Sequence, residues 1–306
     1  MDIYLAKTQG FCAGVSYAVS IVENALKKYG SPFYVYHEIV HNTFVVSQFK
    51  DQGVIFVEDV KDVPKGNRII FSAHGVPPSS IKEAKERNLK IIDATCPLVT
   101  KVHKEAVNFS KEKYEVILIG HKEHQEVIGT SGYVEPKYLH KVEKESDIES
   151  LDIDAESKTA YITQTTLSVD ETKQMIDKLK NKYPSLVGPA KSDLCYATQN
   201  RQDAVKELAE FCDIIIICGS PNSSNSNRLR ETGKNLGIES YIVDSADEFD
   251  LSILKNKNKV GISSGASVPR VIVEKLVNLI KKKYPDSIVH IFKNPEENID
   301  FKLPEI

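Results

Sequence analysis

The stretch Lys90-Ile91-Ile92-Asp93-Ala94-Thr95-Cys96-Pro97-Leu98-Val99 runs from a short β-branched segment through a small polar turn into a helical pattern over 97–113. Proline favours the first helical position, so Cys96 stands directly before a helix start. Working outward, the same order occurs twice more. Gln9-Gly10-Phe11-Cys12-Ala13-Gly14 and Ser192-Asp193-Leu194-Cys195-Tyr196 each lead into a helical run. The three cysteines are 84 and 99 residues apart. After each, at 28 or 29 residues, comes a polar cluster at a strand end: Glu38 to His41, His121 to Glu126, Ser220 to Asn225. A second cluster closes each third, in Ser72-Ala73-His74-Gly75, Thr163-Gln164-Thr165-Thr166 and Ser263-Ser264-Gly265-Ala266-Ser267. The similarity is one of order, not of identity.

Short β-branched runs predict strands at 33–36, 68–72, 90–92, 115–119, 159–163, 213–218, 240–243 and 259–263. Periodicity predicts helices at 14–29, 79–88, 97–113, 168–183, 198–211, 226–236 and 268–283. Alternation of the two is the signature of an α/β protein. The expected architecture is three pseudo-threefold-related α/β units (14–96, 97–193, 194–283) around a central site, with 284–306 as a C-terminal tail. From 293 to 306 the chain reads as an extended tail. Open α/β sheets place ligands at the carboxyl ends of their strands, where the polar clusters fall.

The chain has 306 residues, 41% hydrophobic and 27% charged, an ordinary globular mixture. A net charge of -3 offers no basic surface for nucleic acid. No apolar run approaches bilayer-spanning length, and the longest, at 214–218, is strand-sized. The start Met1-Asp2-Ile3-Tyr4 lacks the layout of a signal peptide, so the expected location is cytoplasmic. Five scattered cysteines argue against a disulfide framework.

At a helix start, amides favour a thiolate, the form that binds metal. Three thiolates suit zinc or an iron–sulfur centre. Zinc sites commonly use closely spaced pairs, and no Cys-x-x-Cys occurs here. Ligands scattered over three units fit a cluster, and a 4Fe–4S cubane on Cys12, Cys96 and Cys195 leaves one iron open to a substrate hydroxyl. Cys212 and Cys218 read as core residues.

His41, His74 and His124 recur in the clusters, joined in the last unit by Ser223, Ser224, Asn225 and Ser267. Such groups make a diphosphate cradle, above all at helix starts such as Asn225-Ser226 and Ser267-Val268. Glu126, two residues beyond His124, is the best candidate acid: a carboxyl buried beside an anionic cluster would have a raised pKa and could carry a proton at neutral pH. Thr165 can pass the proton through its hydroxyl. Gly-x-Gly-x-x-Gly and Gly-x-x-x-x-Gly-Lys-Ser/Thr are absent, so electrons are expected from a separate carrier.

At these residues the sequence resembles the IspH (LytB) family of 4-hydroxy-3-methylbut-2-enyl diphosphate reductases. The resemblance rests on Gly10 to Val15, His37 to Asn42, Phe71 to Val76, Asp93 to Val99, Gly120 to Glu126, Thr163 to Ser168, Asp193 to Arg201, Asn222 to Leu229 and Gly265 to Ser267. It implies a trefoil of the three α/β units around a central iron–sulfur site, with the N-terminal strand (residues 1–13) joining the third unit and a 4Fe–4S cluster on Cys12, Cys96 and Cys195. It implies diphosphate binding by His41, His74, Ser223, Ser224, Asn225 and Ser267, with His124, Thr165 and Glu126 around the hydroxyl and Glu126 as proton donor. The implied reaction reductively removes that hydroxyl and gives isopentenyl and dimethylallyl diphosphate. The electron donor is then ferredoxin or flavodoxin, and a monomer without nucleic-acid or membrane partners is expected. Two rivals stand beside it. A dehydratase of the quinolinate-synthase kind would line its pocket with basic side chains, and a redox sensor would need no substrate pocket.

Overall fold

The computed structural model describes residues 1–306 except 155, 293–296, 298 and 306. Its strands are β1 (Asp2–Leu5), β2 (Phe33–Tyr36), β3 (Val54–Val57), β4 (Arg68–Phe71), β5 (Lys90–Asp93), β6 (Glu115–Ile119), β7 (Leu139–Val142), β8 (Thr159–Thr163), β9 (Ile214–Cys218), β10 (Glu239–Val243), β11 (Lys259–Ser264) and β12 (Ile288–Ile291). The helices are α1 (Ala13–Tyr29), α2 (Thr43–Asp51), α3 (Pro78–Glu86), α4 (Pro97–Lys111), α5 (Gln125–Ser131), α6 (Glu145–Glu149), α7 (Val169–Lys182), α8 (Tyr196–Ala209), α9 (Ser224–Asn235) and α10 (Arg270–Lys283). They form three parallel sheets, ordered β3-β2-β4-β5, β7-β6-β8 and β10-β9-β11-β1-β12. The N-terminal strand β1 lies in the last sheet, between β11 and β12.

By compactness the chain divides in two. One unit holds residues 1–16, 41–47 and 196–300 with the five-stranded sheet; the other holds 17–40, 48–195 and 301–306 with the two smaller sheets.

The apolar run of β9 follows from its burial on both faces, the usual state of a parallel strand. Ile214, Ile216 and Cys218 pack with Leu276 and Ile280 of α10, whereas Ile215 and Ile217 pack with Val205 and Leu208 of α8. Strand β6 repeats the pattern: Ile117 and Ile119 meet Met175 and Leu179 of α7, and Val116 and Leu118 meet Val102 and Ala106 of α4. Helix ends obey local chemistry. Ser168 accepts from the Glu171 amide at the start of α7, and Gly30, at φ +72°, takes the bond to Leu26 O that stops α1.

The three sheets share one wiring. In each, the second strand lies on one side of the first and the third on the other (β2, β3, β4; β6, β7, β8; β9, β10, β11). The residue after the first strand donates to the last carbonyl of the second: His37 to Val57, Gly120 to Val142 and Gly219 to Val243, each at 2.9 Å. Strand order therefore reverses between β2 and β4, between β6 and β8, and between β9 and β11. The paired polar clusters of the sequence are the loops after those strands, at the switch points where such sheets bind ligands.

All eight predicted strands and seven predicted helices exist, with ends displaced by up to two residues. The strands and helices expected from patterning omit α2, α5, α6, β3, β7 and β12, and β1 is expected from the family resemblance alone. Helix α2 opens with Phe44-Val45-Val46, which favours strand on propensity; Asn42 Oδ1 accepts the Val45 amide at 3.0 Å and starts a helix instead. Strand β7 buries only Val142, so its hydropathy gives little signal. The tail expected at 284–306 is corrected at its start, where β12 pairs with β1; of the extended part expected at 293–306, residues 293–296, 298 and 306 lie outside the described residues and the others carry neither helix nor strand.

Candidate active site

Each of the three cysteines is fixed by the same bond. The amide of Cys96 donates to Ala73 O, that of Cys195 to Thr165 O and that of Cys12 to Ala266 O, each at 3.0 Å. All three acceptors lie in the loop after the third strand of a sheet. Backbone pairing therefore repeats three times while the side chains differ. Helix geometry adds to it: the carbonyls of Cys12 and Cys96 accept the amides of Ser16 and Thr100 at 2.9 Å, and Cys96 is the N-cap of α4 with Pro97 at the first position.

None of the five cysteines forms a disulfide; Cys12, Cys96 and Cys195 are half-buried, and Cys212 and Cys218 are buried. Burial pushes the Cys212 and Cys218 thiols up to about 12, as expected of core residues. Burial also raises Cys12, against lowering by the Arg201 guanidinium and the Val15 and Gly14 amides. Those amides point at Cys12 sulfur, as its place at a helix start predicts. A coordinated metal deprotonates such a thiol outright. Among the described residues no three His, Cys, Asp or Glu side chains gather around one ion position. A multi-iron cluster does not need that, because each thiolate holds a different iron. The donor chemistry of three half-buried thiols at helix starts fits the cluster.

In the unit carrying Cys96 and Cys195, Glu126 and Thr165 meet across the β6/β8 switch point. Glu126 is 3% exposed. Its Oε1 accepts the Thr165 amide at 2.6 Å, and its Oε2 lies 3.0 Å from the Thr165 hydroxyl. Burial pushes the Glu126 carboxyl up to about 7, although both Thr165 bonds act to lower it. His124 caps α5, its Nδ1 accepting the Glu126 amide at 3.1 Å, which sets the ring proton on Nε2. The His74 and His124 rings meet edge to face, 5.8 Å apart. Gly75 sits at φ +76°, and a Cβ there would come 2.5 Å from His103 Cε1, so only glycine fits the turn that carries His74.

In the unit carrying Cys12, Ser223 caps α9, its Oγ accepting the Ser226 amide at 3.3 Å. Ser267 donates to His41 O at 3.0 Å, which joins two predicted site residues far apart in sequence. Asn225 is buried, and neither its Oδ1 nor its Nδ2 has a hydrogen-bond partner. An orphaned buried amide is costly and needs an explanation. Added Cβ atoms at Gly219 and Gly265 would each come 2.2 Å from Ser226 Oγ, so both loops close tightly on the first turn of α9. One expectation is corrected. Ser267 does not open a helix, because Val268 and Pro269 stand between it and α10.

The sequence reading missed three supporting groups. Arg201, fully buried, donates to Gly10 O (3.0 Å) and to Glu297 (2.6 Å). Asp244 accepts from Thr43 Oγ1 at 2.6 Å and from Ser220. Asp193 pairs with Lys101 at 2.9 Å. Arg201 and Asp193 lie inside motifs already singled out; Asp244 carries no sequence signal.

Parallel sheets that present thiols, hydroxyls, imidazoles and one neutral-range carboxyl in the loops at their switch points are the arrangement of an α/β enzyme. The chain belongs to the LytB protein family, whose profile matches residues 3–281. A relative from Psychrobacter sp. (strain PRwf-1), a 4-hydroxy-3-methylbut-2-enyl diphosphate reductase, is 47% identical over 100% of this chain and 96% of its own. The solved E-1-hydroxy-2-methyl-but-2-enyl-4-diphosphate reductase of Plasmodium falciparum superposes with a TM-score of 0.96 at 41% identity, over 99% of this chain and 95% of that one. A second solved reductase, described as the terminal enzyme of the non-mevalonate pathway, gives 0.64 at 33% identity over 92% and 100%.

Proposed function

We propose that this chain is a 4-hydroxy-3-methylbut-2-enyl diphosphate reductase. With two electrons and two protons it expels the allylic hydroxyl as water and gives isopentenyl and dimethylallyl diphosphate. Family membership and the named reductases among its relatives support the reading. One observation carries it furthest: Thr165 holds Glu126 with its amide and hydroxyl, and the Cys195 amide with its carbonyl. A proton source thus lies one residue away from a proposed cluster ligand.

A 4Fe–4S cluster on Cys12, Cys96 and Cys195 supplies, when bound, the electrons and one open iron as a Lewis acid for the hydroxyl. The protein residues do the rest. Asn225, Ser223 and Ser224 at the start of α9, with Ser267 and His41, offer amide, hydroxyl and imidazole groups to the diphosphate. His74 adds an imidazole donor. Glu126, titrating near neutrality, holds a proton that Thr165 Oγ1 can hand on to the departing hydroxyl. His124, oriented by its bond from the Glu126 amide, directs Nε2–H at the same end of the substrate. A ferredoxin or flavodoxin is the proposed electron donor.

The test is anaerobic purification, iron and sulfide analysis, and a diphosphate-reduction assay with a chemical reductant. Brown protein with about four irons per chain and turnover is expected. Colourless zinc protein, or a full cluster without turnover, refutes the reading.

A further inference from the structure

Lys101 lies on α4, five residues beyond Cys96, and none of the roles above uses it. An ammonium has three donors. All three are taken up by one loop: Lys191 O at 2.6 Å, Ser192 O at 3.2 Å and Asp193 Oδ1 at 2.9 Å. The Asp193 side chain is fully buried, and its Oδ2 accepts the Thr163 amide at 3.0 Å, at the end of β8. Two residues further on is Cys195, whose amide is held by Thr165. Glu105, one turn beyond Lys101, adds a contact at 3.4 Å. The loop leading to Cys195 is therefore tied to β8 and to the helix that begins at Cys96.

We propose that Lys101 and Asp193 form a clamp that positions Cys195 against the Cys96 end of α4 for cluster binding. The inference rests on the cluster reading above and deepens it by naming positioning residues behind two ligands. Metal ligands need such outer partners, because a sulfur displaced by a fraction of an ångström binds less well. Here the partner acts on backbone, since the two carbonyls and the carboxylate immediately precede the ligand. Lys101 also faces two carboxyls, Asp193 and Glu105; burial and the bond to Asp193 push Glu105 up to about 7, so the single cation is shared between a carboxylate and a group that readily holds a proton.

The test is the double variant Lys101→Met/Asp193→Asn. It removes the Lys101 and Asp193 charges together; Glu105, which burial already pushes up to about 7, loses its cation and can carry a proton instead, and the asparagine Oδ1 still accepts the Thr163 amide. Iron release to a ferrous chelator is followed anaerobically in the loaded proteins, and melting is followed in the iron-free ones. The variant should release iron about tenfold faster or more, the range for loss of outer metal-site partners. Its iron-free melting temperature should stay near that of wild type, which a purely fold-stabilising pair would not allow. In iron-free protein, amide exchange over 191–196 should quicken in the variant while β8 stays protected. Should the double variant fold poorly, Asp193→Asn alone gives the same comparison, with a smaller acceleration. Release at the wild-type rate from a fully loaded variant overturns the clamp. Wild-type protein that binds no iron overturns the cluster reading instead.

Discussion

Glu126→Gln separates the two things that the buried carboxyl does. Glutamine keeps the shape and both Thr165 bonds, its oxygen accepting the amide and its NH2 donating to Oγ1, but it cannot titrate. Burial holds the native carboxyl at about 7 against an ordinary value of 4.5. Between those values native Glu126 keeps a proton that the unfolded chain has released. Stability therefore falls as pH rises through that window, and above it the ionised form costs the native state about 3 kcal/mol. At pH 4 the carboxyl is protonated in both states and the penalty vanishes. For a chain of this length about 3 kcal/mol corresponds to about 5 °C in melting temperature. Iron-free Glu126→Gln should thus melt about 5 °C above wild type at pH 8.5 and level with it at pH 4.

Activity should move the other way. The variant keeps its cluster and its affinity for the diphosphate but loses turnover with a chemical reductant, by about a hundredfold or more. Wild-type turnover should decline above pH 7, where the proton-bearing form is depleted about tenfold per pH unit. Equal melting of the two proteins at pH 8.5 would refute the buried, proton-retaining carboxyl. Full turnover in the variant would remove Glu126 from the chemistry.

Asn225→Ala should raise the KM for the diphosphate about tenfold or more and stabilise the substrate-free protein by about 1 kcal/mol, because it deletes an orphaned buried amide. Steady-state kinetics and melting check the two halves; lower stability with unchanged KM would make the amide structural. Gly219→Ala places a methyl against Ser226 Oγ and should cost about 1–3 kcal/mol while raising KM, as denaturant unfolding and kinetics would show. Cys212→Ala and Cys218→Ala should leave the iron content unchanged, and loss of iron on analysis would mean that a core thiol is a ligand.

The central strands and the long helices were legible because their physics is local. A strand such as β9, buried on both faces, shows a continuous apolar run, and α7 announces itself with Ser168 and Glu171. What escaped depends on partners outside the element. Edge strand β7 is stabilised by pairing with β6 and by one buried valine, so its residues Leu139, His140, Lys141 and Val142 carry almost no strand pattern. Helix α2 is decided by one cap, that of Asn42, over residues whose propensity points elsewhere. In the site, residues with chemistry written into their type could be found: thiol, imidazole, hydroxyl, carboxyl. Lys101 could not, since a lysine on a helix face normally reads as solvated, and its three acceptors lie some ninety residues away. Nor was the state of Glu126 visible, because it rests on burial at the β6/β8 switch point.

The repeated cysteine bond explains why order survived in the sequence while identity did not. A carbonyl accepts an amide whatever side chain its residue carries, so Ala73, Thr165 and Ala266 can fix three cysteines alike and still differ. The side chain at or next to the acceptor was thereby released for separate tasks: an imidazole at His74, a carboxyl-bound hydroxyl at Thr165, a hydroxyl bonded to His41 O at Ser267. Had a side chain made those bonds, its type would have been constrained at all three places and the segments would resemble one another in composition. Place is what the backbone bond does constrain, because each acceptor follows the third strand of its sheet and each cysteine stands directly before a helix. A recurring order with unlike residues is therefore the expected trace of one scaffold used three times.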